Sequence, residues 1–194
     1  MEQKCLRCGH SWKTRKEEKP KTCPKCKSPY WSTPSKITTK EFVEGFNDKI
    51  INLHEHIIGR SGGEKGIRDE GGIYNSSFKI LKFVNKKYDK PSHIGAYVLQ
   101  DLATRHYFVD GNKRTAYCLA KIMLILHGLH LKVNYEGSVE FIMEIARYEN
   151  PKTFKEIDEW IKKNIVSIEE KKLDKYLKEL YYDITYKKRR GSND

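Results

Sequence analysis

Between His106 and Arg114 the chain gathers a group that can take a proton, a carboxylate, a glycine, an amide and two cations: His106-Tyr107-Phe108-Val109-Asp110-Gly111-Asn112-Lys113-Arg114. Histidine ionises nearer physiological pH than any other side chain, which suits a general base acting on a hydroxyl. Asp110 reads either as a ligand for Mg2+, which takes oxygen donors and shares them with substrate phosphates, or as a helix cap. Gly111 lets backbone approach a ligand closely. Asn112 can cap a helix while offering its amide to phosphate, and Lys113 and Arg114 supply a point charge and a planar fork. An apolar run with helical spacing and no proline follows, Ala116 to Leu129. Unpaired N–H groups and the positive end of the helix dipole would therefore meet an anion at the loop.

The elements that must position this loop are legible as helices. Phe42, Phe46, Ile50, Leu53 and Ile57 recur at steps of three and four, predicting a helix capped by Thr39 and stopped at Gly59. His54 and His56, two positions apart, cannot clamp one metal from a helix and read as ordinary polar contacts. Six glycines between Gly59 and Gly72 predict a loop or loose hairpin whose extended edge could pair with another protein's backbone. It lacks the spacing of a P-loop. Further helices are expected at Tyr74 to Tyr88, at Ser92 to Arg105 with Ser92 as cap, and at Ser138 to Tyr148, Thr153 to Ile165 and Ser167 to Tyr182. A very short strand is expected within His130 to Tyr135. Cys118, among apolar neighbours, reads as a small buried residue rather than a reactive thiol.

Cys5-Leu6-Arg7-Cys8 and Cys23-Pro24-Lys25-Cys26 form two knuckles of the kind that makes a closed tetrahedral zinc site. A segment of about thirty residues cannot bury enough core to fold alone, so bound zinc would supply much of its folding free energy. Trp12, Tyr30 and Trp31 are available to pack around the site, and His10 finds no vacant position beside four cysteines. The expected organisation is a zinc ribbon at 1–33, a helical catalytic domain at 34–165, and a C-terminal helix with a basic tail at 166–194.

Of the net charge of +12, residues 1–33 hold +6, from 9 Lys and Arg against 3 Asp and Glu. This excess suits either a solvated surface or an anionic partner such as nucleic acid. The terminal Lys187-Lys188-Arg189-Arg190 reads as a disordered basic tail. No apolar run approaches the ~20 residues of a membrane span, and no apolar segment follows Met1, so a cytoplasmic protein is expected.

His-x-Phe-x-Asp-Gly-Asn-Lys-Arg resembles the signature loop of the Fic/Doc (Fido) proteins, most closely the death-on-curing branch, and Gly66-Ile67-Arg68-Asp69 with Gly71 resembles that branch's Gly-rich segment. The resemblance covers roughly Thr39 to Ile165. It implies an all-α fold, a helical bundle with a short flap, that moves a phosphate-containing group from a nucleotide such as ATP to a hydroxyl of a target protein. It implies His106 as general base, Asp110 as Mg2+ ligand, Gly111, Asn112, Lys113 and Arg114 as the nucleotide grip, Phe108 as the loop's core anchor, and Arg68 and Asp69 in the flap that aligns the target. AMP-transferring members typically carry a glycine where this chain has Lys113 and an arginine where it has Tyr117. Lys-bearing loops of the death-on-curing branch are associated with phosphorylating a translation elongation factor, which turns the expectation from AMP transfer toward phosphoryl transfer. The family's self-inhibitory pattern, Ser/Thr-x-x-x-Glu-Gly/Asn, does not occur, so restraint is expected from a separate antitoxin-like partner. The contrasting reading is a non-catalytic zinc-ribbon module that binds nucleic acid or protein.

Overall fold

A computed structural model describes residues 2–6, 8–14, 20–29, 31–32 and 39–186. Tyr30, the expected boundary at 33/34 and the basic tail lie outside them. The cysteine-bearing segment contains a two-stranded antiparallel hairpin, β1 (Glu2–Lys4) with β2 (Ser11–Lys13), in the register Gln3 opposite Trp12. From Thr39 onward the chain is a bundle of seven α-helices among the described residues.

Helix α1 (Lys40–Ser61) begins where Thr39 accepts the Phe42 N–H, as its sequence predicts, but it runs through Gly59. It stops at Gly62, whose φ of 81° breaks the helix while its N–H still reaches the Ile58 carbonyl at 2.9 Å. The buried face is Val43, Asn47, Ile50, His54, Ile57 and Ile58, whereas Phe42 is largely exposed. The core stripe is thus rotated from the apolar one, because two of its members, Asn47 and His54, are polar. Helix α2 (Glu70–Lys87) starts four residues before the expected Tyr74, since the Asp69 carboxylate accepts the Gly72 N–H at 2.7 Å and draws Gly71 and Gly72 into the first turn. In α3 (Pro91–Thr104) proline occupies the first turn, and Ser92, the expected cap, lies buried inside the helix.

Helix α4 (Asn112–Ile125) is the bundle's centre: Thr115 through Lys121, Met123 and Leu124 are all buried. A helix buried all round must be packed by the others. Gly95 of α3 allows close packing, since a β-carbon there would lie 3.3 Å from Leu124 of α4 and 3.1 Å from Ile161. After α4 come β3 (Leu129–Leu131), α5 (Tyr135–Ile145), α6 (Phe154–Asn164), β4 (Ile165–Ser167) and α7 (Leu173–Thr185). Asn134 caps α5, three residues earlier than expected, and Thr153 with Glu156 closes a capping box on α6. Strands β3 and β4 pair antiparallel, with His130 opposite Val166.

Strand β4 runs across residues 165 and 166, and α7 is bound back onto the bundle. Lys121, at the heart of α4, places its ammonium 2.6 Å from Asp183 of α7, and both side chains are almost wholly buried. The second Asp183 oxygen accepts the Tyr135 N–H at 2.7 Å. One carboxylate therefore joins α4, α5 and α7. Beside it His130, 2.8 Å from Glu179, stacks on Tyr176. Burial first, and then the Lys121 ammonium, hold the His130 imidazole below its ordinary value, against the pull of Glu179.

Two outcomes follow for stability. Lys121→Met should cost about 3–5 kcal/mol in urea denaturation by leaving the buried Asp183 carboxylate without its cation, and Lys121→Met with Asp183→Leu should recover part of it. On acidification below about pH 6.5 the unfolded chain takes up a proton that folded His130 resists, so unfolding free energy should fall with pH there. His130→Asn should flatten that part of the profile.

Candidate active site and cysteine cluster

The loop between α3 and α4 is built on its apolar residues. Phe108 is buried, Tyr107 packs over Gly72, and the Asn112 side chain clamps Phe108 from both ends. Its carbonyl accepts the Phe108 N–H at 2.9 Å and its amide donates to the Phe108 carbonyl at 2.8 Å. Asn112 was expected to cap α4 with its side chain; instead the cap is Gly111, left-handed at φ 76° with no side-chain bond, and the amide is spent inside the loop. The backbone N–H groups of the first turn remain as the anion-facing donors. No acid lies in that turn, which carries Lys113 and Arg114.

His106 is exposed at the apex of a three-residue turn closed by the Tyr107 N–H on the Arg105 carbonyl at 2.6 Å. Asp110 keeps 48% of its side chain exposed. Its Oδ2 lies 3.4 Å from Arg114, whose other nitrogen donates to Ser61 and, at 2.9 Å, to the Gly62 carbonyl. Arg114 thus ties the loop to the end of α1 as well as facing the site. Lys113, half-buried, has no ion-pair partner among the described residues. A half-exposed carboxylate beside a cationic helix start fits Mg2+, which is usually held by one or two carboxylates together with substrate phosphates.

The Gly-rich segment meets this loop directly. The Val109 N–H reaches the Gly66 carbonyl at 3.0 Å, the Arg68 N–H reaches the Tyr107 carbonyl at 2.7 Å, and Ile67 bridges Phe108 antiparallel. One edge of the segment is therefore already paired, and by the antiparallel pattern the N–H and C=O of Ile67 face the other way. Arg68 and Asp69 are exposed, and the Asp69 carboxylate is engaged in capping α2. Gly63, at φ 130°, lies so close that a β-carbon would overlap the Asp110 carboxylate and sit 3.0 Å from Arg114. The glycines serve close approach to the site.

Two side chains near the loop are turned inward. Tyr117 is buried and donates its hydroxyl to the Val133 carbonyl, so it faces the core. His54, expected as an ordinary polar contact, is buried against the loop, its ring stacked on Phe108 at 3.7 Å and its Nε2 2.9 Å from the Asp110 carbonyl. Its spacing of four from Ile50 and three from Ile57 placed it on the core face, and that was the available signal. His56 is exposed.

The Fic/DOC family model matches residues 46–124. The Fic/DOC match runs from within α1 to the end of α4, taking in the Gly-rich segment and the whole loop, and is narrower than the expected Thr39 to Ile165. No curated protein and no solved structure matches the chain.

Outside the Fic/DOC match, the ligand atoms of Cys5, Cys8, Cys23 and Cys26 lie within 4.8 Å of one another. The Cys5–Cys26 and Cys8–Cys23 sulfur pairs are each 3.7 Å apart, close to the ~3.8 Å edge of a tetrahedron with zinc–sulfur bonds of about 2.3 Å. The Cys8 and Cys26 N–H groups point back at the Cys5 and Cys23 sulfurs at 3.4 and 3.5 Å. These residues could hold zinc. Trp31 is buried on the cluster and half-buried Trp12 packs edge-on against Trp31, so these two aromatics pack around the cysteines as expected. Metal analysis should find one zinc per chain, and a strong chelator should shift Trp fluorescence while far-UV dichroism from the bundle persists.

Proposed function

We propose that the chain is a Fic-type transferase of the death-on-curing kind that phosphorylates a hydroxyl of a target protein from ATP. The observation that carries this reading is the combination of Lys113 at the start of α4, without an ion-pair partner among the described residues, and Tyr117 turned into the core. The phosphates would then meet a mobile ammonium and find no second arginine one turn along the helix. His106 takes the proton of the target hydroxyl as its oxygen bonds to the γ-phosphorus and the bond to the bridging oxygen breaks, releasing ADP. Arg114 and the first-turn N–H groups hold phosphate oxygens, and Lys113 offsets their growing negative charge. Asp110, with Gly111 giving room, would hold Mg2+, which when bound would neutralise charge on the nucleotide phosphates. The open side of Ile67, flanked by Arg68 and Asp69, would align an extended target segment.

The zinc ribbon in this reading addresses the enzyme to its target, with the translation machinery in the cytoplasm as the proposed location and a separate antitoxin as the proposed restraint. The family's self-inhibitory pattern does not occur in the sequence, which supports a partner in that role.

With ATP labelled at the α or γ phosphate, Mg2+ and cell extract, protein labelling should come from γ alone. His106→Ala should lower it about 10²- to 10⁴-fold. Label from α would instead establish AMP transfer, and no His106-dependent label from either would reject both for ATP. Lys113→Gly should reduce γ transfer on the order of 10²-fold, the loss seen when one charge-stabilising donor is removed. Expression should slow growth in a His106-dependent manner.

A further inference from the structure

We infer that His54 is a positioning residue of this site: it locks the Asp110–Gly111 peptide and, through it, the direction of the Asp110 carboxylate. The inference rests on the proposed role of Asp110. The His54 ring is only 2% exposed and meets the loop at two points. Its face stacks on Phe108 with centroids 3.7 Å apart and planes within 6°. Its Nε2 lies 2.9 Å from the Asp110 carbonyl. A carbonyl can only accept, so the ring must carry its proton on Nε2.

The peptide that His54 grips has a second constraint at its other end. The Gly111 N–H, on the same planar unit as the Asp110 carbonyl, donates to Oδ1 of the Asp110 side chain. Turning that peptide over would break both bonds together. Resistance to such a turn cannot come from residue 111 itself, because glycine at φ 76° has little steric barrier to rotation. Nor can a side chain be added there: a β-carbon on Gly111 would lie 2.9 Å from Ile58 and 3.4 Å from the His54 ring. The glycine needed for close packing therefore leaves the carboxylate dependent on a lock from α1. Arg114, 3.4 Å from Oδ2, restrains the carboxylate only on its other side.

Three measurements on the full chain test this. Nitrogen NMR of wild-type His54 should show the Nε2–H tautomer, and the Nδ1–H form would overturn the inference. His54→Phe keeps an aromatic face for Phe108 but no donor, whereas His54→Gln keeps an N–H donor without the ring. In hydrogen exchange, His54→Phe should raise exchange of residues 109–113 about tenfold or more while α3 stays protected; unchanged exchange there would overturn the lock. In the transfer assay the Mg2+ concentration for half-maximal rate should rise about 10- to 100-fold in His54→Phe and less in His54→Gln, the range expected when a ligand's orienting partner is lost. A fall in folded fraction with no change in Mg2+ dependence would make His54 merely structural. Absence of His106-dependent transfer in the wild type would reject the proposed function, and tautomer and exchange would still decide the lock.

Discussion

Everything proposed for the site depends on how the end of α1 grips the beginning of α4. Helix α4 is buried on nearly every side, so its first turn can be exposed only at its N-terminal end, and the loop feeding it must be held without a side-chain cap. The last turns of α1 do the holding. His54 takes the Asp110 carbonyl, and Ser61 with the Gly62 carbonyl takes Arg114. Gly63, lacking a side chain, lets the chain pass directly over the carboxylate. Moving the helix stop from Gly59 to Gly62 is what brings Ser61 within reach of Arg114.

The same arrangement makes the Gly-rich segment a structural partner of the loop. Its residues 66–69 pair with 107–109, so the loop is clamped between α1 on one side and a short bridge on the other. Asp69 ends this bridge and begins α2 through one carboxylate. A displacement of α2 would therefore be transmitted to Tyr107 and Phe108 through backbone hydrogen bonds. His106 stands at the exposed turn just before that clamp, which leaves it accessible while its neighbours are fixed.

Polar groups also decide how the C-terminal part joins the bundle. Asp183 satisfies Lys121 and the Tyr135 N–H together, and no apolar side chain could do both. Such a connection is costly to break from one side. In the cysteine-bearing segment Trp31 is buried on the cluster, while Lys4, Lys13, Lys21, Lys25 and Lys27 are exposed. No described helix is long and apolar enough to cross a membrane.

Local chemistry was readable in the residues themselves: two cysteine knuckles, the loop from His106 to Arg114, the Thr39 cap, and helical periodicity through most of the bundle. These rest on interactions between residues a few positions apart, which spacing records directly. What spacing does not record is which polar residue a distant element will cover. His54, Lys121 and Asp183 are inside because partners 48 to 62 positions away come to meet them there, as His54 meets the Asp110 carbonyl, Lys121 meets Asp183 and the Tyr135 N–H meets Asp183. The amide of Asn112 could serve as cap, phosphate donor or clamp until the fold of the loop placed Phe108 against it. The sequence by itself determined the chemical groups and the helices that carry them. The tertiary structure alone decided which of those groups are spent on holding the site and which still face outward, because a buried polar group must find its partner wherever packing brings one.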